Sequence, residues 1–398
     1  MRRVAITGLG CVSSLGHDVE KFLSGTREGL SGVAKTTLPD RDLLTAQNVA
    51  EVKDWDPAEY IDKKTLNISD RFSQFALAAA GQALVDAGDV SGERTAVIVG
   101  TGVGGAFTIE EGYDRVWRKG QAKVNPFSIP KLMSNGPPSL IGLKYGITGP
   151  AFAVSSACSS SNHSIGTAFG MIRRGEIDVA IAGGAEASIS FMGLKGWEAL
   201  RVISPDVCRP FSKDRRGMIL GEGAGILLLE DMDRAKARGA KIYAELAGFG
   251  MTSDALDMVQ PSIDGAARAI RQALNVAELA PSDIDYVNAH GTGTPANDPT
   301  ESKAIRAAFG PAADNVLVSS TKAMHGHGLG AAGSLELIAT IGAICSGIVP
   351  PTINFTEADP ECDLDYVPNT ARERPISAAI SNSFAFGGLN AVLAVKAV

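Results

Sequence analysis

One cysteine stands where the pattern of the chain could make it reactive. Cys158 lies between a predicted strand over residues 152–156 and a predicted helix over residues 159–174. Unpaired backbone N–H groups and the helix dipole at such a junction lower the pKa of a thiol and favour the thiolate, the nucleophile that accepts an acyl group. The local pattern equally allows a buried structural cysteine, which is how most free cysteines behave.

Two histidines occupy loops of the kind that carry active-site residues. His290 and His327 each follow a predicted strand, in VNAHGTGTPANDPTES and SSTKAMHGHGLGAAGSLE. Loops at strand ends favour catalytic side chains. His163 is one helical turn beyond Cys158 and is interpreted as a packing residue. His325 could point the same way as His327, but no acidic cluster with ligand spacing accompanies the pair, so no metal site is expected.

The elements that must position these residues alternate between short strands and amphipathic helices. Predicted strands include RRVAIT, RTAVIVG, DVAIAGG and GILLLE, and the clearest predicted helices are DRFSQFALAAAGQALVDAG and DGAARAIRQALNVAEL. This alternation predicts an α/β fold with largely parallel sheets covered on both faces. The similar strand ends TGLG and AGFG suggest an internal duplication.

Composition narrows the class of protein. The chain has 398 residues and a net charge of -7, so a general affinity for nucleic acid is not expected. Its five cysteines are scattered without a CxxC pair, which argues against a disulfide framework or a zinc site and indicates a reducing compartment. The apolar run near the start is too short for a signal peptide, and no run approaches the ~20 apolar residues of a membrane span. We expect a cytoplasmic protein that does not enter a membrane.

A glycine-rich segment imitates a dinucleotide-binding fingerprint. Gly100, Gly102 and Gly105 follow a predicted strand with the spacing G-x-G-x-x-G. A dinucleotide site would have an acidic residue about 20 positions later, at the end of a second strand. Glu110 and Glu111 come too soon and fall in a predicted helix, so we interpret the glycines as packing residues.

Several motifs together resemble one family. The chain contains VAITGLGCVSSLG, SSACSS, DVAIAGGAEA, RPFSKDRRGMILGEGAG, NAHGTGTPANDPTE, SSTKAMHGHGLGAAG and NSFAFGG, in that order. It resembles, from end to end, the elongating β-ketoacyl-acyl carrier protein synthases of types I and II. SACSSSNH, GTPANDPTE and PPTINFTEADPECDLD are most similar to the rhizobial nodulation ketosynthase branch.

The resemblance implies a fold and an assembly. The family has the thiolase-like fold, an α/β fold with duplicated halves in a five-layer α-β-α-β-α arrangement. The N-terminal half would span residues 1–240 and carry Cys158, and the C-terminal half would span residues 241–398 and carry His290, Lys322 and His327. A homodimer is expected, with an interface near the strand before Cys158.

The resemblance also implies catalytic roles. Cys158 would take the acyl group from a carrier-protein thioester. His290 and His327 would donate hydrogen bonds to the carbonyl of malonyl-acyl carrier protein and stabilise the enolate that forms on loss of CO₂. The carbanion would then attack the acyl-Cys158 thioester, giving β-ketoacyl-acyl carrier protein for fatty acid or related lipid elongation. Lys322 and Glu336 would form a charged pair that supports the histidines.

Further residues match substrate contacts of the family. Phe386 would supply an oxyanion-hole N–H, together with that of the nucleophile, and gate the acyl pocket. Thr292 and Thr294 would hold the phosphopantetheine arm that arrives on the carrier protein, so no cofactor of the enzyme itself is expected. Val103 and Ser128 stand where relatives carry larger side chains, the latter from the partner subunit. Smaller side chains would lengthen the pocket, which predicts that long or unusual acyl chains are accepted.

The surface that would dock the acidic carrier protein is less basic than in relatives. Lys63 and Lys64 remain, while Asn67 and Ile68 follow where basic residues are usual. Other basic residues, such as Arg71 or Arg216, could compensate.

Competing functions differ in specific residues. A thiolase would have a second reactive cysteine in the loop FAFGGLN, which has none. A non-catalytic partner subunit would lack the nucleophile, whereas Cys158, His290 and His327 are all present. A ketosynthase dedicated to a polyketide, polyene or nodulation-type lipid remains an alternative that the residues do not exclude.

Overall fold

Two consecutive stretches of the chain repeat one order of strands and helices. The computed structural model describes residues 1–88, 90 and 92–398. The first stretch contains β1 (Val4–Val12), α1 (Val19–Glu28), β2 (Ala34–Lys35), β3 (Asn48–Val49), α2 (Lys63–Ile68), α3 (Arg71–Ala87), β4 (Thr95–Gly100), α4 (Ala106–Tyr113), α5 (Ser128–Leu132), α6 (Gly136–Tyr145), β5 (Ala151–Val154), α7 (Ser160–Arg173), β6 (Val179–Glu186), α8 (Phe191–Ala199), β7 (Gly223–Asp231) and α9 (Met232–Ala237).

The second stretch follows with the same main strands and fewer additions. It contains β8 (Ala244–Ser253), α10 (Ile263–Ala277), β9 (Tyr286–Asn288), α11 (Asn297–Phe309), β10 (Leu317–Ser319), α12 (Lys322–His325), α13 (Ala332–Ser346), β11 (Ile348–Val349), β12 (Arg372–Glu373), β13 (Ala378–Ala385) and β14 (Leu389–Lys396). The expected halves, 1–240 and 241–398, would divide the chain in the segment between α9 and β8.

Strand pairing makes the duplication explicit. The first half has the order β5-β4-β6-β7-β1 and the second the order β10-β9-β13-β14-β8. In each half the first three strands of that order are parallel to one another. The fourth strand runs antiparallel to both of its neighbours, the third and the fifth. The halves join where β1 pairs antiparallel with β8 along Val4–Ile6. The sheet of each half is therefore mixed, rather than parallel throughout.

Helices cover both faces of these sheets. α3 packs outside β1, β6 and β7, and α10 packs outside β8 and β14. α7 and α13 contact strands of both halves and form a shared central layer. The expected thiolase-like α-β-α-β-α arrangement is confirmed. Because the carboxyl ends of the parallel strands in both halves point toward the central helices' amino ends, side chains from both halves can meet there.

The apolar character of the central layer explains one membrane-like segment. The expectation that no run approaches a membrane span was wrong by length and composition, because Leu329–Ser346 is long and apolar enough, with a mean hydropathy of 1.5 over 18 residues. In the structure 78% of this segment is buried inside the protein. Its composition is that of a core helix enclosed by two sheets.

The glycine-rich turn after β4 serves packing, as predicted. A Cβ atom on Gly100 would lie 2.4 Å from the backbone of Ser160, and one on Gly105 would lie 2.4 Å from the Cα atom of Leu132. Both glycines therefore allow close approach of neighbouring backbone.

Candidate active site

Cys158 lies at a strand-to-helix junction, as predicted, but with a sharper turn than the sequence suggested. β5 ends at Val154, a 3₁₀ turn spans Ala157–Ser159, and α7 begins only at Ser160. Ala157 has a φ of 51°, in the left-handed region that side chains rarely adopt. This strained residue turns the chain directly before the nucleophile, and strain of this kind is typical of functional sites.

The thiol of Cys158 is buried. Its pKa is raised above the usual value for a thiol, whereas the helix dipole predicted a lowered pKa. Burial raises the pKa of Cys158 from 9.0 to about 12, while the ammonium of Lys322 lowers it and Glu186 raises it further. The side chain is only 6% exposed, so loss of hydration outweighs the helix N-terminus. The resting group is a thiol, and its proton must leave as it attacks a thioester.

His290 is fixed by a carboxylate that the sequence did not identify. It lies two residues beyond β9, and its backbone N–H donates to Glu301 at 2.8 Å. The N–H of Gly291 donates to the same carboxylate at 2.7 Å. Glu301 is on α11 and fully buried, so its carboxylate anchors the loop after β9 to that helix.

His327 comes from the second half of the chain and reaches the nucleophile. Its backbone N–H donates to the Ile219 carbonyl at 2.7 Å, and its carbonyl accepts from Gly221 at 2.9 Å. Its Nε2 atom lies 3.0 Å from the Sγ atom of Cys158. The ring centroids of His290 and His327 are 5.3 Å apart, with an interplanar angle of 84°. The three predicted residues therefore meet.

Hydrogen bonds to Nδ1 fix the tautomer of both histidines. The backbone N–H of Leu329 donates to His327 Nδ1 at 3.3 Å, and the ammonium of Lys322 lies 3.3 Å from His290 Nδ1. Burial and the charge of Lys322 hold the pKa of each imidazole well below its usual value, so both rings are neutral. A neutral ring with an occupied Nδ1 lone pair carries its proton on Nε2. Two N–H donors are thus presented beside the thiol.

This donor arrangement suits an anion better than a metal ion. One ligand atom from each of Cys158, His290 and His327 lies within 4.8 Å of the others. A metal would need the lone pair of Nε2, and the ring would then carry its proton on Nδ1. Both Nδ1 atoms instead face donors. His325 takes no part, because its Nε2 pairs with Thr321 at 2.9 Å and its ring packs on Phe22.

Lys322 and Glu336 form the buried ion pair that the sequence predicted. Both side chains are fully buried, Lys322 at the start of α12 and Glu336 on α13. Burial raises the pKa of Glu336 to about 7, and the nearby lysine opposes this rise. Lys322 also donates to the carbonyl oxygen of His290 at 2.6 Å. The pair thus connects the loops that carry the two histidines.

Replacing Lys322 with methionine should destabilise the fold strongly. The change leaves the carboxyl of Glu336 buried without its partner, which costs about 3–5 kcal/mol in comparable pairs. Urea unfolding at pH 8 measures the loss. Adding Glu336→Leu should restore most of it, because no buried charge remains. Lys213→Met is the control, since its ion pair with Glu357 is exposed and should contribute little. A stable single variant would contradict a structural role for the pair.

The cavity beside Cys158 has a volume of about 180 Å³ and opens to solvent. Thr292, Thr294 and Phe386 line it, as the resemblance implied. The hydroxyls of the two threonines lie 2.9 Å apart, and the threonines follow His290 along one loop. Phe386 is half-buried on the turn between β13 and β14, and its ring centroid is 5.9 Å from that of Trp197 on α8.

Val103 and Ser128 do not line this cavity. Val103 is 52% exposed on the turn after β4, and its N–H donates to Glu186. Ser128 begins α5 and bonds the carbonyl of Asn125. Within one chain, therefore, neither side chain closes the acyl pocket, and their predicted roles depend on a partner subunit.

Sequence reasoning missed three residues that shape the site. Glu301 holds the His290 loop, Glu186 bonds the turns on either side of the nucleophile, and Trp197 contacts the gate. Glu301 follows His290 by eleven residues, within the quoted segment VNAHGTGTPANDPTES, and this closeness along the chain is the one signal that could have indicated it. The other two come from distant segments and carry no local signal.

Comparisons with known proteins agree over the whole chain. Family models match as β-ketoacyl synthase, N-terminal domain, over residues 1–235 and β-ketoacyl synthase, C-terminal domain, over residues 243–356. Nodulation protein E of Rhizobium sp. (strain N33) is 46% identical, covering 100% of both chains. The 3-oxoacyl-[acyl-carrier-protein] synthase 2 of Synechocystis sp. is 41% identical, covering 99% of this chain and 98% of its own.

Solved structures give the same result. The ishigamide ketosynthase/chain length factor superposes with a TM-score of 0.96 at 39% identity, covering 100% of this chain and 99% of that one. A type II polyketide ketosynthase in complex with its acyl-carrier protein superposes with a TM-score of 0.92 at 33% identity, with the same coverage.

Proposed function

The chain belongs to the β-ketoacyl synthase family, and we propose that Cys158, His290 and His327 carry its decarboxylative condensation of an acyl group with a malonyl thioester. The resemblance to the elongating synthases and to the nodulation branch is thereby confirmed. The observation that supports the assignment of residues is the pair of Nε2–H donors beside the Cys158 thiol.

The first half-reaction transfers an acyl group to the enzyme. The Cys158 sulfur attacks the carbonyl of an acyl thioester, and the bond from that carbonyl to the carrier thiol breaks. The thiol proton ends on the departing sulfur, so the completed step leaves no net charge in the buried site. Backbone N–H groups of Cys158 and Phe386 would stabilise the tetrahedral oxyanion.

The second half-reaction forms the new carbon–carbon bond. The malonyl carboxylate leaves as CO₂, and its bonding electrons move to the thioester carbonyl as an enolate. His290 and His327 donate hydrogen bonds from their Nε2–H groups to that oxygen, which lowers the energy of the developing charge. The enolate carbon attacks the acyl-Cys158 carbonyl, and the Cys158 sulfur leaves and takes up a proton. Decarboxylation drives the step, so we propose that no cofactor is required.

We propose that the thioesters arrive on an acyl carrier protein. A related ketosynthase is solved with its carrier, which supports this partner. Lys63 and Lys64 are exposed at the start of α2 and can meet an acidic surface. Arg71 cannot add to them as suggested, because its guanidinium is bound to the buried Glu222. A reducing, cytoplasmic location agrees with the five free cysteines.

A homodimer through β5 is supported by an unusual surface. β5 is an edge strand with Phe152 exposed, and open edges of this kind pair readily with another chain. Exposed apolar side chains also occur between β4 and β5 along the chain, including Tyr113, Trp117, Phe127 and Ile129.

Replacing Phe152 with lysine should convert this dimer to a monomer. A lysine on an edge strand opposes pairing with a second strand, because its charge would be buried there. Sedimentation velocity at micromolar protein measures the change. Val85→Lys is the matched control, since Val85 is 87% exposed on α3 and should leave the dimer intact. A wild-type monomer, or a Phe152→Lys dimer, would refute the interface.

Long acyl chains should be accepted, and Val103→Phe should exclude them. The small side chains at Val103 and Ser128 would leave the pocket deep, and a phenyl group would occupy that depth. The measurement offers octanoyl to octadecanoyl carriers, then malonyl carrier, and detects β-ketoacyl products by mass. Wild type should extend hexadecanoyl carrier, and the variant should retain only the shorter chains. Refusal of long chains by the wild type would contradict the hypothesis.

A pathway-specific ketosynthase remains the second candidate. The identity of 46% to nodulation protein E exceeds the 41% to the 3-oxoacyl-[acyl-carrier-protein] synthase 2 of Synechocystis sp., and the two ketosynthase structures are equally complete matches. The same chain-length series separates the two, because a specialised enzyme should refuse saturated primers of ordinary length.

A further inference from the structure

Glu186 ties together two turns that flank the nucleophile. It is the last residue of β6 and fully buried. One carboxylate oxygen accepts from the Thr101 hydroxyl at 3.0 Å and the Val103 N–H at 3.3 Å. The other accepts from the Gly102 N–H at 2.7 Å and the Gly330 N–H at 3.0 Å. A single side chain thus bonds the turn after β4 and the turn that follows His327.

The carboxylate of Glu186, like that of Glu301, is held by hydrogen-bond donors instead of a cation. Among the described residues, no lysine or arginine forms an ion pair with Glu186, whereas the equally buried Glu230 pairs with Arg234 and Arg238. A buried carboxylate without a cation is costly unless several N–H groups solvate it. The four donors of Glu186 meet that requirement, and all of them come from the two turns beside the site.

The two turns also pack closely against each other. A Cβ atom on Gly330 would lie 2.4 Å from the Gly102 nitrogen, and one on Gly102 would lie 2.8 Å from a Glu186 oxygen and 3.8 Å from the Ala157 Cα atom. Ala157 directly precedes Cys158. The carboxylate therefore lies close to both turns and to the strained residue that precedes the nucleophile.

We propose that Glu186 is a positioning residue, whose carboxylate holds the turn of Val103 and the turn after His327 as one unit against Cys158. Its side chain does not line the cavity beside Cys158. The role rests on the proposed function, since it sets the turn of Val103 and the histidine donor in register with the thiol.

The same carboxylate has an electrostatic effect that a purely structural group would lack. After burial, the charges that act on the pKa of Cys158 are Lys322, which lowers it, and Glu186 and Glu336, which raise it. His290 and His327 are neutral and add no charge. Glu186→Gln removes one of the two opposing charges and keeps the size of the side chain, so the pKa of the thiol should fall.

Alkylation of Cys158 by iodoacetamide tests this without requiring catalysis. We expect Glu186→Gln to raise the alkylation rate at pH 8 about three- to tenfold, because each unit of pKa changes the thiolate fraction about tenfold. Glu230→Gln is the matched control: it removes a buried carboxylate where β7 pairs with Val179, the opposite end of β6 from Glu186. Its rate should stay within about twofold of wild type. An unchanged rate in Glu186→Gln, or an equal rise in both variants, would overturn the proposal.

Hydrogen exchange gives a second test that does not depend on Glu186→Gln folding. Thr101→Val removes one of the four donors and leaves the carboxylate in place. If the two turns are coupled through it, amide exchange at Gly330 should accelerate several-fold, together with that at Gly102. Acceleration at the Thr101 turn alone would show that the turns are independent, and the proposal would fail. If wild type fails to catalyse condensation while Cys158 is alkylated at the rates expected above for both variants, the result counts against the proposed function and leaves the role of Glu186 intact.

Discussion

Cys158→Ala should abolish the acyl-enzyme and reduce condensation by about 10⁵-fold or more, the scale on which enzymes lose rate when their nucleophile is removed. The reason is geometric as well as chemical. The Cys158 sulfur is the nucleophile on the cavity wall, 3.0 Å from His327 Nε2, and an alanine methyl group cannot accept an acyl group. The remaining donors should still bind a malonyl thioester and release CO₂ slowly.

Intact-mass spectrometry measures this directly. Wild type incubated with an acyl carrier should gain one acyl mass, and Cys158→Ala should gain none. Cys345→Ala is the control, because Cys345 is the exposed cysteine on α13 and should leave acylation unchanged. If Cys158→Ala were still acylated, at another residue, Cys158 would not be the nucleophile. If the wild type is not acylated by an acyl carrier of any chain length, the non-catalytic partner subunit becomes the favoured function.

His290→Ala should separate the two half-reactions. Loss of a preorganised donor to a developing oxyanion typically costs about 10²–10³ in rate. We expect CO₂ release from malonyl carrier to fall by that factor, while acylation of Cys158 stays within about tenfold of wild type, since the oxyanion of that step uses backbone donors. His327→Ala should impair both steps, because its Nε2 lies beside the thiol.

His290→Asn provides the control for the donor itself. An asparagine amide offers an N–H group without the imidazole ring, so part of the decarboxylation rate should return. The paired readouts are the acyl mass and the CO₂ released in a single turnover. Equal loss of both in His290→Ala would indicate a disturbed site instead of a missing donor. Undiminished decarboxylation would exclude His290 from the enolate step.

The fold and the reacting trio were predictable because their signals are local. A strand that meets a helix at Cys158, and strand-end loops at His290 and His327, follow from hydrophobic periodicity and glycine content. The resemblance of the motifs then gave the architecture and the Lys322–Glu336 pair. The mixed sheet was not anticipated, since antiparallel strands such as β7 and β14 have the same buried composition as parallel ones.

Properties that depend on distant segments were beyond the sequence pattern. The pKa of Cys158 was predicted in the wrong direction, because a helix N-terminus is visible in the sequence and the degree of burial is not. The roles of Glu186 and Trp197 depend on neighbours that are remote along the chain. Arg71 was considered as a docking residue, yet it is held by Glu222, 151 residues away.

The join between β1 and β8 has a consequence for how the enzyme comes into being. Val4 pairs with both Asp231 and Leu246, so the first strand cannot take its place until well over half of the chain exists. The thiol and His327 are likewise 169 residues apart. Contacts of such long sequence separation slow folding, because loop-closure entropy is lost before they form. During synthesis β1 therefore has no partner strand until β7 and β8 have been made. The active site forms later still, because His327 must be synthesised before it can meet Cys158.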